Sequence, residues 1–342
     1  MKKKCFSDRL KYLGDVFKEA DKWHIWCTSA IDGPDGKVHL FVARWPLETG
    51  HQGWTTHSEI AHAVSDTPNG LFKFTDVVLN GKRTDVWNAQ APHNPTIHKI
   101  DDKYVIFYIA RYKGSGPEGQ NIGMLISDSL FGPWKESSSE PILARSDDPT
   151  DWDYKSCVGV NNPAFLKHPN GEYWLYYKAK PKGADIGNSN KPRKMGLAVS
   201  RTLQGPYVRL KQPVASSKTE IEDAYAFIEN GTFHLITTDN NGAVKRGGGL
   251  LFSSNDGTHF DKFEMGFNTA CSYEGTGVDK EPWELPSDQL GKFERPQILM
   301  RDGKPAYLYT ATGKNFVIEH SKVNYYIKGS SSCVFKIMDV EN

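Results

Sequence analysis

The sequence predicts an all-β protein: a five-bladed β-propeller with a short N-terminal helical arm. One unit recurs five times at a spacing of roughly 67 residues, and regular self-similarity of this kind is typical of repeat architectures. Within each unit, runs of alternating apolar residues are separated by Gly, Pro, Asn and Asp, which are typical of strands and turns. Four antiparallel strands per unit with no helix between units favour a propeller over a sandwich.

Four units share a clear pattern: a polar pair, a proline or small residue, an apolar strand, a Gly/Asp turn and an aromatic-rich strand. They begin HNPTIHK, NNPAFLK, EDAYAFI and ERPQILM. The first unit, WCTSAIDG, ends in the same Ala-Arg dipeptide as the second but lacks the polar pair. A third strand and a turn follow each pair of strands, as in MLISDSLFGPW and LAVSRTLQGPY. We therefore expect the first strands of the blades to begin near Cys27, Pro95, Pro163, Ala224 and Pro296.

The segment ahead of the first unit has a helical pattern. Ser7 is a candidate N-cap, and Leu10, Leu13 and Phe17 fall on one face of a helix that begins there. We therefore divide the chain into an N-terminal helical arm, residues 1–22, and a five-bladed propeller catalytic domain, residues 23–342.

Charge and composition exclude several classes of partner. The 42 Lys and Arg residues nearly balance the 41 Asp and Glu residues, so no net field draws the molecule to nucleic acid or to an anionic membrane. The five cysteines are widely spaced, which indicates reduced structural thiols. The start MKKKC leads into a polar segment, unlike a signal peptide. We expect a soluble protein, cytoplasmic as the sequence stands, or periplasmic or secreted if an export signal has been trimmed.

The predicted site lies at one face of the propeller. The first strand of each blade lines the channel, so the residues that open these strands meet there, together with the ends of second strands and the starts of third strands. Carboxylates at these positions suit glycosidic cleavage, because one carboxylic acid protonates the leaving oxygen while another carboxylate activates water or attacks the anomeric carbon. The predicted catalytic residues are Asp223, Glu294 and Glu59.

Other polar residues at the same face are predicted to bind substrate. A competing interpretation is that strand openers pin neighbouring blades together by hydrogen bonds. We expect Arg44 to pair with Glu59 and to keep it ionised, as a base or an orienting group. No cofactor is expected, and a divalent cation held in the channel by His93 is the alternative. The predicted substrate-binding residues are His93, Asn94, Asn162, Glu222, Arg44, Arg111, Lys178, Asp239 and Arg295.

The strand openers, the turns LFGPW and LQGPY and the strand ending YWLYYK resemble those of the five-bladed propeller glycoside hydrolases, a superfamily that includes families 43 and 117. The turns are similar to family 43. The late placement of Asp223 and Glu294 and the N-terminal arm are closer to family 117. That resemblance implies an oligosaccharide substrate, such as an agar oligosaccharide, and a homodimer in which the arm swaps between subunits.

Two departures from family 43 are visible. Family 43 opens its first blade with an Asp-Pro base, whereas this sequence has Trp26-Cys27 there. The third-blade glutamate that acts as the acid in family 43 has no match near Asn161-Asn162. The resemblance therefore implies the fold and not the activities of that family.

The sequence predicts an exo-acting glycoside hydrolase that cleaves a terminal sugar by inversion. Asp223 and Glu294 form the acid/base pair, with carboxyl groups about 6.5–9.5 Å apart to leave room for a water molecule. Glu59 is a third carboxylate that orients or tunes them. Two alternatives remain open. One is a non-catalytic carbohydrate-binding propeller, and the other is a glycoside phosphorylase of the same fold, with phosphate bound by Arg44, Arg111, Lys178 and Lys180.

Overall fold

Five four-stranded antiparallel blades form the molecule, which confirms the predicted propeller. The chain enters through a 3-10 helix, Phe6–Arg9, and the strand β1 (Leu10–Phe17). The computed structural model describes residues 5–17, 22–81, 83–183, 192–215, 220–285, 290–313, 317–321, 324–328 and 330–339.

Four blades consist of consecutive strands in simple antiparallel order. Blade 1 contains β2 (Trp23–Asp32), β3 (Val38–Pro46), β4 (Glu59–Ser65) and β5 (Lys73–Leu79). Blade 2 contains β6 (Gln90–Ile100), β7 (Lys103–Arg111), β8 (Asn121–Ser127) and β9 (Lys135–Glu136). Blade 3 contains β10 (Asn161–Lys167), β11 (Tyr173–Ala179), β12 (Lys194–Ser200) and β13 (Val208–Arg209). Blade 4 contains β14 (Glu222–Glu229), β15 (Thr232–Asp239), β16 (Gly248–Ser254) and β17 (Lys262–Phe267).

Blade 5 joins the two ends of the chain. Its strands are β18 (Phe293–Arg301) and β19 (Lys304–Thr312), then, after a hairpin of β20 (Val317–Ser321) and β21 (Asn324–Lys328), β22 (Ser331–Ile337). The outermost strand is β1, which pairs with β22. Besides Phe6–Arg9, the short helices of the described ranges are α1 (Trp54–His57) and the 3-10 segments Leu47–Thr49, His51–Gly53, Pro117–Gly119, Ala270–Ser272 and Pro282–Glu284.

The predicted helical arm is wrong beyond its first turn. Ser7 does lie in a short 3-10 helix, but Leu10, Leu13 and Phe17 belong to β1. Their helix-like spacing arises because the pairing of β1 with β22 shifts register twice, between Tyr12 and Gly14 and again before Phe17. A bulge adds a residue and so breaks the two-residue alternation of a strand. The propeller therefore includes β1 and does not begin at residue 23.

The apolar core is divided among the blade interfaces. Within the described ranges, five large clusters of buried side chains each draw on two adjacent blades. Trp174 of blade 3 and Phe252 of blade 4 belong to one cluster, for example, and Phe227 of blade 4 and Phe335 of blade 5 belong to another. No helix in the described part of the chain is long and apolar enough to cross a membrane.

Leu10→Ala tests whether β1 is part of the propeller. Leu10 is 8% exposed within the cluster between blades 4 and 5, whereas Leu71 is 63% exposed. Truncating a buried leucine removes apolar burial and leaves a cavity, so we expect Leu10→Ala to lower the free energy of unfolding by about 2–5 kcal/mol. Leu71→Ala, the matched control, should change it by less than about 0.5 kcal/mol. Equal losses of stability for the two variants in urea denaturation would contradict the assignment of β1 to blade 5.

Buried histidines make the stability pH-dependent. Burial, with a smaller effect of the neighbouring His51, lowers the pKa of His24 to about 4. Burial and the neighbouring His39, whose Nδ1 is 2.9 Å from His62 Nε2, lower the pKa of His62 to about 4. An unfolded histidine titrates near pH 6.5. Between about pH 6.5 and 4 the unfolded chain therefore binds more protons than the folded chain, and the folded state loses stability as the pH falls.

We expect urea denaturation to give the full free energy of unfolding above about pH 6.5 and a progressive loss towards pH 4.5. His62→Gln removes one of the titrating groups and should show a smaller loss. His259→Gln changes an exposed histidine and should keep the full loss. Equal stability of the unsubstituted protein at pH 7.5 and pH 5 would contradict the assignment.

Candidate active site

The same bulge occurs at the start of every first strand. At each one, two residues of the first strand face one residue of the second. The first of the two has a left-handed backbone, with φ between 52° and 63°. A bulge re-aims a side chain, so five equivalent bulges turn five side chains towards one another around the channel: Cys27, Asn94, Asn162, Asp223 and Arg295.

These five side chains form a ring that we call the channel ring. Cys27 donates a hydrogen bond from Sγ to Asn94 Oδ1, and Asn94 Nδ2 donates to Asn162 Oδ1 at 2.8 Å. Asn162 Nδ2 donates in turn to Asp223 Oδ1, which also accepts from Arg295 Nη1 at 3.1 Å. The charge of Arg295 acts on Cys27 and so links the last member to the first. The competing interpretation, that strand openers pin the blades, therefore describes real contacts.

The donors of the channel ring converge on the carboxylate of Asp223. Besides the bonds from Asn162 and Arg295, its Oδ2 accepts a hydrogen bond from Thr238 at 3.1 Å. Cys27 is not a second anion in the channel ring, since burial raises the pKa of its thiol to about 12 despite the charge of Arg295. A thiol held in this state is neither a nucleophile nor an acid near neutral pH.

A cavity of 330 Å³ opens above the channel ring. This volume lies at the lower end of the range of about 300–1,000 Å³ for small-molecule sites. Four of the five ring residues line it, so the ring forms its floor. The residues that line the cavity are Trp26, Trp45, His51, Gln52, Trp54, Thr55, His93, Asn94, Ile109, Arg111, Pro117, Gln120, Val158, Asn161, Asn162, Lys178, Arg193, Glu222, Asp223, Asn240, Glu294 and Arg295.

One wall of the cavity is aromatic. Trp54 stacks on His93 with ring centroids 5.1 Å apart, and Trp45 meets His93 edge to face at 5.7 Å. Trp26 packs against His51 at 5.3 Å. Burial, together with the charges of neighbouring groups, keeps the pKa of His93 well below its usual range. The imidazole is therefore neutral, and this wall presents flat, uncharged surfaces to the cavity.

The opposite wall is charged. Glu222 accepts hydrogen bonds from Lys178 Nζ at 2.5 Å, Arg193 Nη1 at 3.3 Å and Asn240 Nδ2 at 3.1 Å. Burial alone would raise the pKa of Glu222, but the charges of Lys178 and Arg193 outweigh it and lower the pKa to about 2. Glu222 is consequently ionised near neutral pH.

Nine of the twelve predicted site residues line this cavity: Asp223, Glu294, His93, Asn94, Asn162, Glu222, Arg111, Lys178 and Arg295. Glu59, Arg44 and Asp239 are not among the lining residues. The structure therefore brings the strand openers together as expected, whereas it places three residues from the ends of second and third strands elsewhere.

Glu59 does not reach the channel. It pairs with Arg44 at 2.9 Å, as expected. The two are direct cross-strand neighbours on β4 and β3, so their side chains lie side by side on the same face of the blade. The guanidinium of Arg44 lies over the rings of Trp23 and Phe74, with centroid distances of 4.2 and 4.1 Å. This pair is part of the packing of blade 1.

Asp239 has a structural role instead of the predicted substrate contact. Its carboxylate accepts four backbone hydrogen bonds at 2.8–2.9 Å from the turn that follows β15. Asp side chains stabilise turns in this way. The donors are the N–H groups of Gly242, Ala243, Val244 and Lys245.

The tryptophans of the aromatic wall and two polar members of the charged wall, Arg193 and Asn240, were not predicted from the sequence. Two residues of the aromatic wall, His51 and Trp54, come from residues 47–58, which connect β3 to β4 and contain α1. The available signal was a tryptophan within the polar run HQGWTTH, since a large aromatic residue in a polar loop is suited to contact a ligand. Among the described residues, no group of three His, Cys, Asp or Glu side chains could hold a metal ion.

No family model matches the sequence, and no curated protein matches it. Solved structures do match. Zg3597, a family 117 glycoside hydrolase from the marine bacterium Zobellia galactanivorans, aligns with a TM-score of 0.67 at 14% identity over 97% of this chain and 92% of that one. CoXyl43, a family 43 β-xylosidase/α-arabinofuranosidase from a compost metagenome, aligns with a TM-score of 0.58 at 16% identity over 94% and 93%.

A third structure, a complex of BT0996 and RGII, aligns with a TM-score of 0.65 at 13% identity over 95% of this protein and 92% of that one. At these identities the comparisons establish the fold. The protein thus resembles the five-bladed propeller glycoside hydrolases in structure, and the resemblance expected from its sequence is confirmed at that level.

Removing one charge of the Arg295–Asp223 ion pair should destabilise the protein more than removing both charges. Arg295 and Asp223 are both buried, at 2% and 6% exposure. Arg295→Met leaves the Asp223 carboxylate buried without its cation, and we expect a loss of about 3–5 kcal/mol in the free energy of unfolding. Arg295→Met combined with Asp223→Asn removes both charges and should recover part of the loss. Additive losses in urea denaturation would contradict the coupling.

Proposed function

We propose that the protein is a glycoside hydrolase that removes a terminal sugar from an oligosaccharide with inversion of the anomeric centre. The observation that supports this most strongly is the cavity itself, in which three carboxylates, Glu222, Asp223 and Glu294, face an aromatic wall. Paired carboxylates supply the acid and the base of glycosidic cleavage. Aromatic rings offer a flat apolar surface on which the apolar face of a sugar ring can stack.

The environments of the three carboxylates suit different roles. Glu222, with its pKa near 2, holds no proton to donate and acts as an electrostatic and positioning group. Asp223 accepts hydrogen bonds from three donors, namely Asn162, Arg295 and Thr238, which suits an ionised base that activates water. Glu294 lines the same cavity from the adjoining first strand and is the remaining carboxylate for the role of proton donor.

The shape of the cavity supports action on the ends of saccharides. The channel ring closes the bottom, so a saccharide enters from one side and only its terminal residue reaches the carboxylates. Trp54 is then placed to stack on that residue, while Lys178, Arg193 and Asn240 on the opposite wall are placed to bind hydroxyl groups.

A non-catalytic sugar-binding protein is the second candidate. It is favoured by the neutral channel-ring residues Cys27, Asn94 and Asn162, and by the ion pair that already occupies Asp223. A phosphorylase is the third, since Arg111, Lys178, Arg193 and Arg295 all line the cavity. Dependence of turnover on added phosphate separates a phosphorylase from a hydrolase.

Glu294→Gln tests the proton donor. Once a panel of algal and plant oligosaccharides has given a substrate, we expect this variant to lower kcat about 10²–10⁴-fold. The loss should be much smaller for an aryl glycoside of the same sugar, because its leaving group needs little protonation. Glu59→Gln is the matched control outside the cavity and should keep near-normal rates.

Proton NMR of the first product formed reports the anomeric outcome. Formation of the opposite anomer supports inversion, and retention would contradict it. Equal losses for Glu294→Gln and Glu59→Gln would remove Glu294 from the mechanism. Binding of oligosaccharides without any turnover would favour the second candidate.

A further inference from the structure

Arg111 is a buried cation without a carboxylate partner in the part of the chain that the structure describes. It is the last residue of β7, is 7% exposed and lines the cavity. Its Nη2 donates a hydrogen bond to the main-chain oxygen of Thr55. Its Nε is buried and has no hydrogen-bond partner among the described residues. The exposed Glu118 acts on it electrostatically but forms no ion pair with it.

The other charges of the cavity are matched. Lys178 and Arg193 share Glu222, Arg193 also pairs with Glu220 at 3.1 Å, and Arg295 pairs with Asp223. Of the four cationic side chains that line the cavity, Arg111 alone has no carboxylate within salt-bridge distance among the described residues. An anionic ligand can supply the missing counter-charge, whereas a neutral ligand cannot.

A second polar side chain faces the cavity beside Arg111. Gln120 is 7% exposed, and its Oε1 accepts a hydrogen bond from Asn161 Nδ2 at 2.7 Å. Its Nε2 forms no hydrogen bond with any residue of the described ranges, which leaves an amide donor for a ligand. A buried guanidinium is costly unless an anion or several acceptors satisfy it. A ligand that brings an anion to Arg111 and Gln120 offsets this cost.

We propose that Arg111 binds the carboxylate of an acidic sugar, so that the cavity takes a uronic acid as the terminal residue of its substrate. This rests on the proposed function and adds the substrate class. A planar guanidinium matches a planar carboxylate better than it matches a tetrahedral sulfate ester. Thr55, which holds the guanidinium, follows Trp54 directly in α1, so a sugar stacked on Trp54 has its acidic group beside Arg111. Arg111 is then a specificity-determining residue.

The test measures binding and does not need turnover. Isothermal titration calorimetry compares D-glucuronate, D-galacturonate, D-mannuronate and L-guluronate with the matching neutral hexoses and with 6-sulfated hexoses. We expect at least one uronate to bind tenfold or more tightly than its hexose and its sulfated counterpart. Arg111→Gln should weaken that uronate about 10- to 100-fold and leave the hexose unchanged. Arg301→Gln, the control, changes an arginine that pairs with Asp32 at 2.6 Å and should alter neither.

The thermal stability of Arg111→Gln separates recognition from a structural role. Removing an unpaired buried charge should leave the melting temperature unchanged or raise it, whereas loss of a structural contact lowers it. Uronates that bind no better than hexoses, tighter binding of the sulfated sugars, or an unchanged preference in Arg111→Gln would each overturn the inference. Uronate binding without hydrolysis of any uronate-terminated oligosaccharide would support the role of Arg111 and contradict the proposed hydrolase activity.

Discussion

The left-handed bulge at the start of each first strand is the constraint on which the site depends. Asn and Asp adopt this backbone readily, but Cys27 and Arg295 do so at a cost of about 1–2 kcal/mol each. The cost is tolerated because hydrogen bonds around the channel ring fix all five residues together. The floor of the cavity is thus built into the blades themselves, and Asp223 is held by contacts from two neighbouring blades and from Thr238.

This ring explains both what sequence analysis could locate and what it could not. The polar pair before a proline or small residue marks the bulge in blades 2 to 5, so Asn94, Asn162, Asp223 and Arg295 could be assigned to one face before any coordinates were known. The strand positions of Glu59 and Asp239 were also predicted correctly, since Glu59 opens β4 and Asp239 ends β15. The pattern did not show that the carboxylate of Asp239 would be used by the backbone of the following turn, or that the Glu59–Arg44 pair would lie outside the cavity.

The two walls of the cavity have different origins. The charged wall is built mainly on strand ends, where Glu222 and Lys178 are cross-blade neighbours at 2.5 Å, and its chemistry follows from the repeat. Part of the aromatic wall, His51 and Trp54, lies on the connection between β3 and β4 of blade 1, residues 47–58. A repeat unit predicts only what the blades share, so it does not predict a feature that is present in one blade alone. Arg111, whose charge has no carboxylate partner among the described residues, ends β7 and donates a hydrogen bond to Thr55 of this connection.

Closure of the fifth blade has a consequence for the synthesis of the protein. Leu10 lies opposite Ile337 in the β1–β22 pair, so β1 leaves the ribosome before all of blades 1 to 4 and finds its partner only after they have been made. Until then β1 has no sheet to join, and the cluster of Leu10, Phe227 and Phe335 is incomplete. Contacts between such distant residues form slowly. The nascent propeller therefore exposes apolar surface at an open edge until β22 has been made, and cellular folding factors have that interval in which to act.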